Sequence, residues 1–243
     1  MYWLLEEVTW EEAKEIIAKA DYIILPTGSF EQHGLHLPLS VDNIRADNLV
    51  MEVLKRADKY NLKLAKLPTL PYGCSEHHMH FPGTVTLELD TYIRVVTDIG
   101  VSMHRHGAKR FLIMNFHGGN IQPLNIAIQL IRMKTGMKTY LIHWTQYARD
   151  LIEQWAKPGW GHACEHETSM IMYYRPELVR KEKIVKPKVK TTAPITEFRY
   201  FDEITDTGGI GDPTISKPEY AERIIGEVSE RILKVLSEAL KME

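Results

Sequence analysis

Short apolar runs alternate with longer amphipathic stretches along most of the chain. Residues 22–26 (YIILP), 62–68 (LKLAKLP), 110–115 (RFLIMN) and 138–144 (KTYLIHW) are the four runs. Runs of this length, bounded by polar or turn-forming positions, read as strands buried within a sheet. The stretches between them read as helices. Residues 10–20 open with a capping box, Thr9 and Glu12. Residues 43–59 follow Asp42, which the pattern places at the N-cap. Residues 89–106 are closed by Gly107. Further helices are expected from Gln122 or Pro123 onward, over 145–156 and over 165–174. The last, over 217–240, carries an apolar stripe of Ile224, Ile225, Val228, Ile232, Val235 and Leu236, read as core or interface. Strands alternating with helices predict the α/β class, a three-layer α/β/α arrangement on a mostly parallel sheet. There is no internal repeat or low-complexity linker, so one domain over residues 1–243 is expected. Residues 181–200 are basic and Pro-bearing and read as a surface excursion.

Composition narrows the function. A chain of 243 residues, 44% hydrophobic, can bury a full core. A net charge of −2 lacks the basic surplus that nucleic acid rewards, so no nucleic-acid partner is expected. No apolar run approaches a membrane span, and no basic helix suggests a membrane surface. The N-terminal stretch lacks the features of a secretory signal, and a cytoplasmic location is the expectation. The two cysteines, Cys74 and Cys164, form no CxxC pair and imply no disulfide framework. The 11 histidines, by contrast, cluster.

The clusters fall where strands end, and an open α/β sheet binds ligands beyond the carboxyl ends of its strands. GSFEQHGLHLPLSVDN (residues 28–43) holds Glu31, His33, His36 and Asp42 among apolar and turn residues. FHGGN (116–120) holds His117 and Asn120, and HACEHETS (162–169) holds His162 and Glu167. Glu31 and His33, two apart, point the same way in extended chain. Asp42, at a helix start, is placed to bridge two cations, and His117 comes from another strand end. Mixed His, Asp and Glu donors without thiolate suit Zn²⁺, Mn²⁺ or Fe²⁺, and two such ions roughly 3.5–4 Å apart would activate a hydroxide. Glu167 reads as a ligand or general base, and His162 as a proton donor to a leaving nitrogen.

Plainer readings compete. Any one of these side chains alone is more often solvated or structural. His77, His78 and His80 read equally as packing or as a substrate-facing loop. His104 and His106 sit at a helix C-terminus and read as structural. Cys164 reads as an inert buried thiol in preference to a nucleophile activated by His162. A non-catalytic metal-binding protein is the rival of another class.

The pieces PTGSFEQHGLHLPLSVDN, HMHFPGTVTL, NFHGGN and HACEHETS, in this order, resemble the creatininase (creatinine amidohydrolase) family. The resemblance covers most of residues 26–169. It implies an α/β/α fold, a centre of two divalent metal ions per chain, and hydrolysis of a C–N bond in a small amide or formamide, cyclic amides included. By matching position it implies Glu31, His33, Asp42 and His117 as metal ligands, with Asp42 bridging, and His162 and Glu167 as catalytic. His78, Trp160 and Asn120 are expected at the substrate; Trp144, Tyr147 and Trp155 are further aromatic residues available to cover it. Compact homo-oligomers, hexamers among them, are also implied. One departure stands out. Creatininases proper carry a glutamate ligand where this chain has Gly119, so either another carboxylate, Glu167 being the choice, completes the second metal position or that position is weak, and creatinine itself is disfavoured as substrate. Relatives with HGGN also resemble formamide hydrolases and the peptidase that trims a mycofactocin precursor.

Overall fold

The computed structural model describes residues 1–156, 158–190 and 197–242. Its frame is a five-stranded sheet in the order β1-β3-β2-β4-β5, every pairing parallel. The strands are β1 (Tyr2–Leu4), β2 (Tyr22–Thr27), β3 (Leu64–Lys66), β4 (Arg110–Asn115) and β5 (Lys138–His143). The four expected strands are all present, and β1 is an addition. It has three residues and no alternation, so no pattern announces it; pairing with β3 alone makes it a strand.

The helices are α1 (Trp10–Lys19), α2 (Val41–Arg56), α3 (Leu89–Arg105), α4 (Ile121–Thr135), α5 (Arg149–Glu153), α6 (Glu165–Tyr174), α7 (Phe201–Ile204) and α8 (Pro218–Lys241). The Thr9–Glu12 capping box opens α1 as expected. At α2 the expectation is corrected: Ser40 is the N-cap and Asp42 lies in the first turn. That shift turns the Asp42 side chain inward, and it is 1% exposed. The stretch 145–156 is also corrected, being a 3-10 turn (Trp144–Tyr147) followed by the short α5. Part of the basic excursion, residues 191–196, lies outside the described residues.

Alternation along the central strands builds two cores, because successive side chains point to opposite faces. Tyr22 and Ile24 of β2 pack with Leu49, Val53, Met170, Ile224 and Val228, from α2, α6 and α8. Ile23 and Leu25 pack with Ile16, Val96, Leu124 and Ile131, from α1, α3 and α4. The apolar stripe of α8 is therefore core, except that Val235 is exposed. The Tyr22 hydroxyl donates to the Leu236 carbonyl (2.9 Å), tying β2 to the end of α8. Among the described residues no helix is long and apolar enough to cross a membrane.

Candidate metal centre

β2 and β4 are neighbours, yet the helices that follow them, α2 and α4, cover opposite faces. The connecting loops must part, and a crevice opens at the C-terminal edge of the sheet. Glu31 and His33 reach it from the loop after β2, Asp42 from the start of α2, and His117 from the end of β4. His162 and Glu167 enter from the turn into α6. The mean environment is dry: Glu31 is 0% exposed, His33 1%, His117 4% and Glu167 5%. Buried ionised groups must be paired or hold a cation.

Three imidazoles are locked the same way. His33 donates its Nδ1–H to the Glu31 carbonyl (3.1 Å), His117 its Nε2–H to the Cys74 carbonyl (3.0 Å), and His162 its Nε2–H to the Gln32 carbonyl (2.6 Å). A backbone carbonyl that takes one ring proton leaves the other nitrogen a lone pair in a neutral ring. Those nitrogens face the carboxylates. His117 Nδ1 lies 3.1 Å from Glu31 Oε1 and 3.3 Å from Asp42 Oδ2. His33 Nε2 lies 3.5 Å from Asp42 Oδ1 and 3.8 Å from Glu167 Oε2. His162 Nδ1 lies 3.7 Å from Glu31 Oε1.

Donor atoms converge in three groups, each within 4.8 Å: Glu31–Asp42–His117, His33–Asp42–Glu167 and Glu31–His33–His162. Glu31 Oε1, Asp42 Oδ2 and His33 Nε2 are buried without a hydrogen-bond partner among the described residues. Such orphaned acceptors are costly, and divalent cations bound at these groups would satisfy them. The donor set, oxygen and imidazole without thiolate, is chemically fit for Zn²⁺ or Mn²⁺.

The electrostatics agree. Burial alone would raise the carboxyls of Glu31 and Asp42, but the His117 and His78 imidazoles at Glu31 and the Arg45 guanidinium at Asp42 hold both well below the usual range. Burial opposes a charge on His117, yet Glu31 and Asp42 raise it well above its usual value. The field that favours a proton there favours a metal cation equally. His162 is pushed down to about 4 by burial and by His33, so its ring is neutral at pH 7.

Gly119 has a steric cause. A Cβ there would stand 2.2 Å from the Cys74 carbonyl oxygen and 2.5 Å from His117 Nε2. A glutamate at that position has no room, while Glu167 approaches from α6. Its Oε2 accepts from the Ala163 N–H at 2.6 Å, a bond aimed by the left-handed backbone of Ala163 (φ +49°). Its Oε1 lies 2.9 Å from Arg45 Nη2, an ion pair.

Arg45 is a residue that sequence reasoning missed. It sits on α2, one turn beyond Asp42, 2% exposed, donates to Asp42 Oδ1 and the Phe116 carbonyl (3.0 Å), and forms an ion pair with Glu167 Oε1 (2.9 Å). An arginine on an amphipathic helix reads as surface, and nothing local signals otherwise.

Above the donors lies a cavity of about 310 Å³ whose walls include His78, Trp144, Trp160, His162, Phe201 and Ile210. His78 is fixed by Gln32, whose amide donates to His78 Nδ1 (2.8 Å) and to the Gly208 carbonyl (2.8 Å). The Phe201 ring lies 4.1 Å from His78 and 5.0 Å from His162, centroid to centroid. Phe201 and Ile210 come from a segment that carried no motif. Of the residues expected at the substrate, His78 and Trp160 line the cavity. Asn120 does not: its amide donates to the Gly28 carbonyl (2.9 Å) and accepts from the Cys74 N–H (2.9 Å), fastening three loops together. Trp155 stacks on Tyr220, outside the cavity. Cys164 faces His166 (2.8 Å) and not His162, and burial pushes its thiol up, out of thiolate range, so the nucleophile reading has no geometry behind it.

A dry, carboxylate–imidazole donor cluster under a small cavity at the crevice of a parallel sheet is fit to hold divalent metal, as the sites of metal-dependent hydrolases are. The family follows from comparison. The creatininase profile, described as creatinine amidohydrolase, matches residues 6–236, and the chain belongs to the creatininase family of hydrolases. It is 28% identical to creatinine amidohydrolase of Pseudomonas putida, over 98% of this chain and 95% of that protein. It is 27% identical to the mycofactocin precursor peptide peptidase of Mycolicibacterium smegmatis, over 89% of this chain and 84% of that protein. The solved structure "Creatininase Mn" superposes with a TM-score of 0.86 at 26% identity, covering 98% of each chain.

Proposed function

We propose that the chain is a metal-dependent amidohydrolase that cleaves the C–N bond of a small amide or formamide. The orphaned, inward-facing acceptors of Glu31, Asp42 and His33 carry this reading. Glu31, Asp42 and His117 would hold one divalent ion, Zn, Mn or Fe, and His33, Asp42 and Glu167 frame a second position that shares Asp42. A cation held there supplies Lewis-acid polarisation of a carbonyl and a nucleophilic water at neutral pH.

The chain's own residues do the rest. His162, neutral and with its Nε2–H held by the Gln32 carbonyl, is placed to take a proton from the attacking water on its Nδ1 lone pair and hand it to the leaving nitrogen. Glu167 has one oxygen on Arg45 and the other on the Ala163 N–H, which suits a fixed ligand better than a mobile base. Phe201 and Trp160 offer aromatic faces to a planar amide and keep bulk water out. The cavity volume, about 310 Å³, matches a small molecule better than an extended peptide.

The test is hydrolysis by Mn²⁺- or Zn²⁺-loaded protein of a panel of N-formyl amines, five- and six-membered cyclic amides, and short peptides. The expected result is turnover of one of the first two classes, lost with EDTA and in Asp42→Asn. Turnover of peptides alone would replace this reading with a peptidase. Activity that survives chelation would remove the metal from it.

A further inference from the structure

The two donor groups that share Asp42 are not equivalent, and Arg45 makes the difference. The Glu31–Asp42–His117 group presents Glu31 Oε1 and Asp42 Oδ2, both without a hydrogen-bond partner among the described residues, and the lone pair of His117 Nδ1. In the His33–Asp42–Glu167 group His33 Nε2 has no hydrogen-bond partner among the described residues, but the carboxylate oxygens are already engaged. Its Asp42 oxygen, Oδ1, accepts from Arg45 Nη2, Glu167 Oε1 forms an ion pair with the same guanidinium nitrogen at 2.9 Å, and Glu167 Oε2 accepts from the Ala163 N–H at 2.6 Å.

The guanidinium is anchored. Its Nη2 also donates to the Phe116 carbonyl (3.0 Å), and its Cζ lies 5.5 Å from the Trp144 ring centroid, a cation–π contact. Arginine stays charged at any pH the protein meets. Charge balance points the same way. Three buried carboxylates (Glu31, Asp42, Glu167) and one buried guanidinium leave two negative charges, which a single divalent cation cancels. A second cation would bring surplus positive charge into a dry pocket walled by Trp144 and Phe116, where uncompensated charge is expensive.

We infer that Arg45 stands in for the second metal ion: the chain holds one divalent cation tightly, at Glu31–Asp42–His117, and Arg45 takes the charge and the Asp42 oxygen of the other position. This rests on the metal reading of the site, but not on which bond the enzyme cleaves.

The full chain, loaded with excess Mn²⁺ and desalted, is assayed for manganese per chain by elemental analysis and for its electron paramagnetic resonance spectrum. Wild type is expected to keep one ion, with the six-line spectrum of isolated Mn²⁺. Arg45→Met and Arg45→Gln are expected to keep two, with the spin-coupled spectrum of a carboxylate-bridged pair. Two ions or a coupled spectrum in wild type overturns the inference, whatever the variants do, and so does a wild type that keeps none. One ion in a folded variant also overturns it. A wild type that holds one ion and hydrolyses no amide would leave the inference standing and remove the proposed activity instead.

Discussion

The inner and outer walls of the cavity are built on opposite terms. The inner wall, Glu31, His33, Asp42 and His117, hangs from the two central strands and the first turn of α2, is buried, and has its ring protons given to backbone carbonyls. The outer wall, around Phe201, is held by α7, a one-turn helix, by the exposed pair His80–Asp202 (2.9 Å) and by the Tyr200 hydroxyl on Glu76 (3.2 Å). On the proposed function, chemistry sits on the buried side and substrate contact on the more exposed side. Changes to the inner wall should therefore abolish function or stability outright, and changes to the outer wall should retune it.

The sharpest way to break this contrast is Asp42→Asn. It removes a charge from both donor groups and should lower kcat/KM at least about 10³-fold while depleting bound metal; retained metal and activity would dissolve the inner wall as defined. Next is Gly119→Glu, which attempts the creatininase-like ligand. With the Cys74 carbonyl 2.2 Å from the new Cβ, the loop must move, and we expect a loss of roughly 3 kcal/mol in denaturant unfolding with no added metal. Asn120→Ala strands the Cys74 N–H and the Gly28 carbonyl and should cost about 2 kcal/mol by the same measurement, with activity falling only as folded protein is lost. On the outer wall, Phe201→Ala should raise KM about tenfold while metal content and melting temperature stay at wild-type values. Last, His80→Ala breaks an exposed pair and should shift stability by no more than about 0.5 kcal/mol.

The same divide runs through what the sequence revealed. Apolar runs marked the four long-range strands because buried parallel strands have no polar alternation to blur them. The inner wall was legible because its donors sit in two dense motifs, GSFEQHGLHLPLSVDN and FHGGN. What stayed hidden depends on partners distant in the chain. Arg45 meets Glu167 from 122 positions away, Phe201 meets His78 only once the fold closes, and β1 exists by pairing with β3. Asn120 shows the converse: its place beside His117 suggested substrate, whereas its partners, Gly28 and Cys74, make it a brace. The N-cap at α2 slipped for a local reason, since Ser40 and Asp42 are both good capping residues and the choice is made by what must face inward.

The Cys74 carbonyl also bears on how such enzymes diverge. One oxygen atom takes the His117 ring proton and occupies the space a side chain at 119 would need. A glutamate at 119 and this setting of His117 therefore exclude each other. A lineage passing from one ligand set to the other must shift the 73–78 loop in the same step as it trades carboxylates.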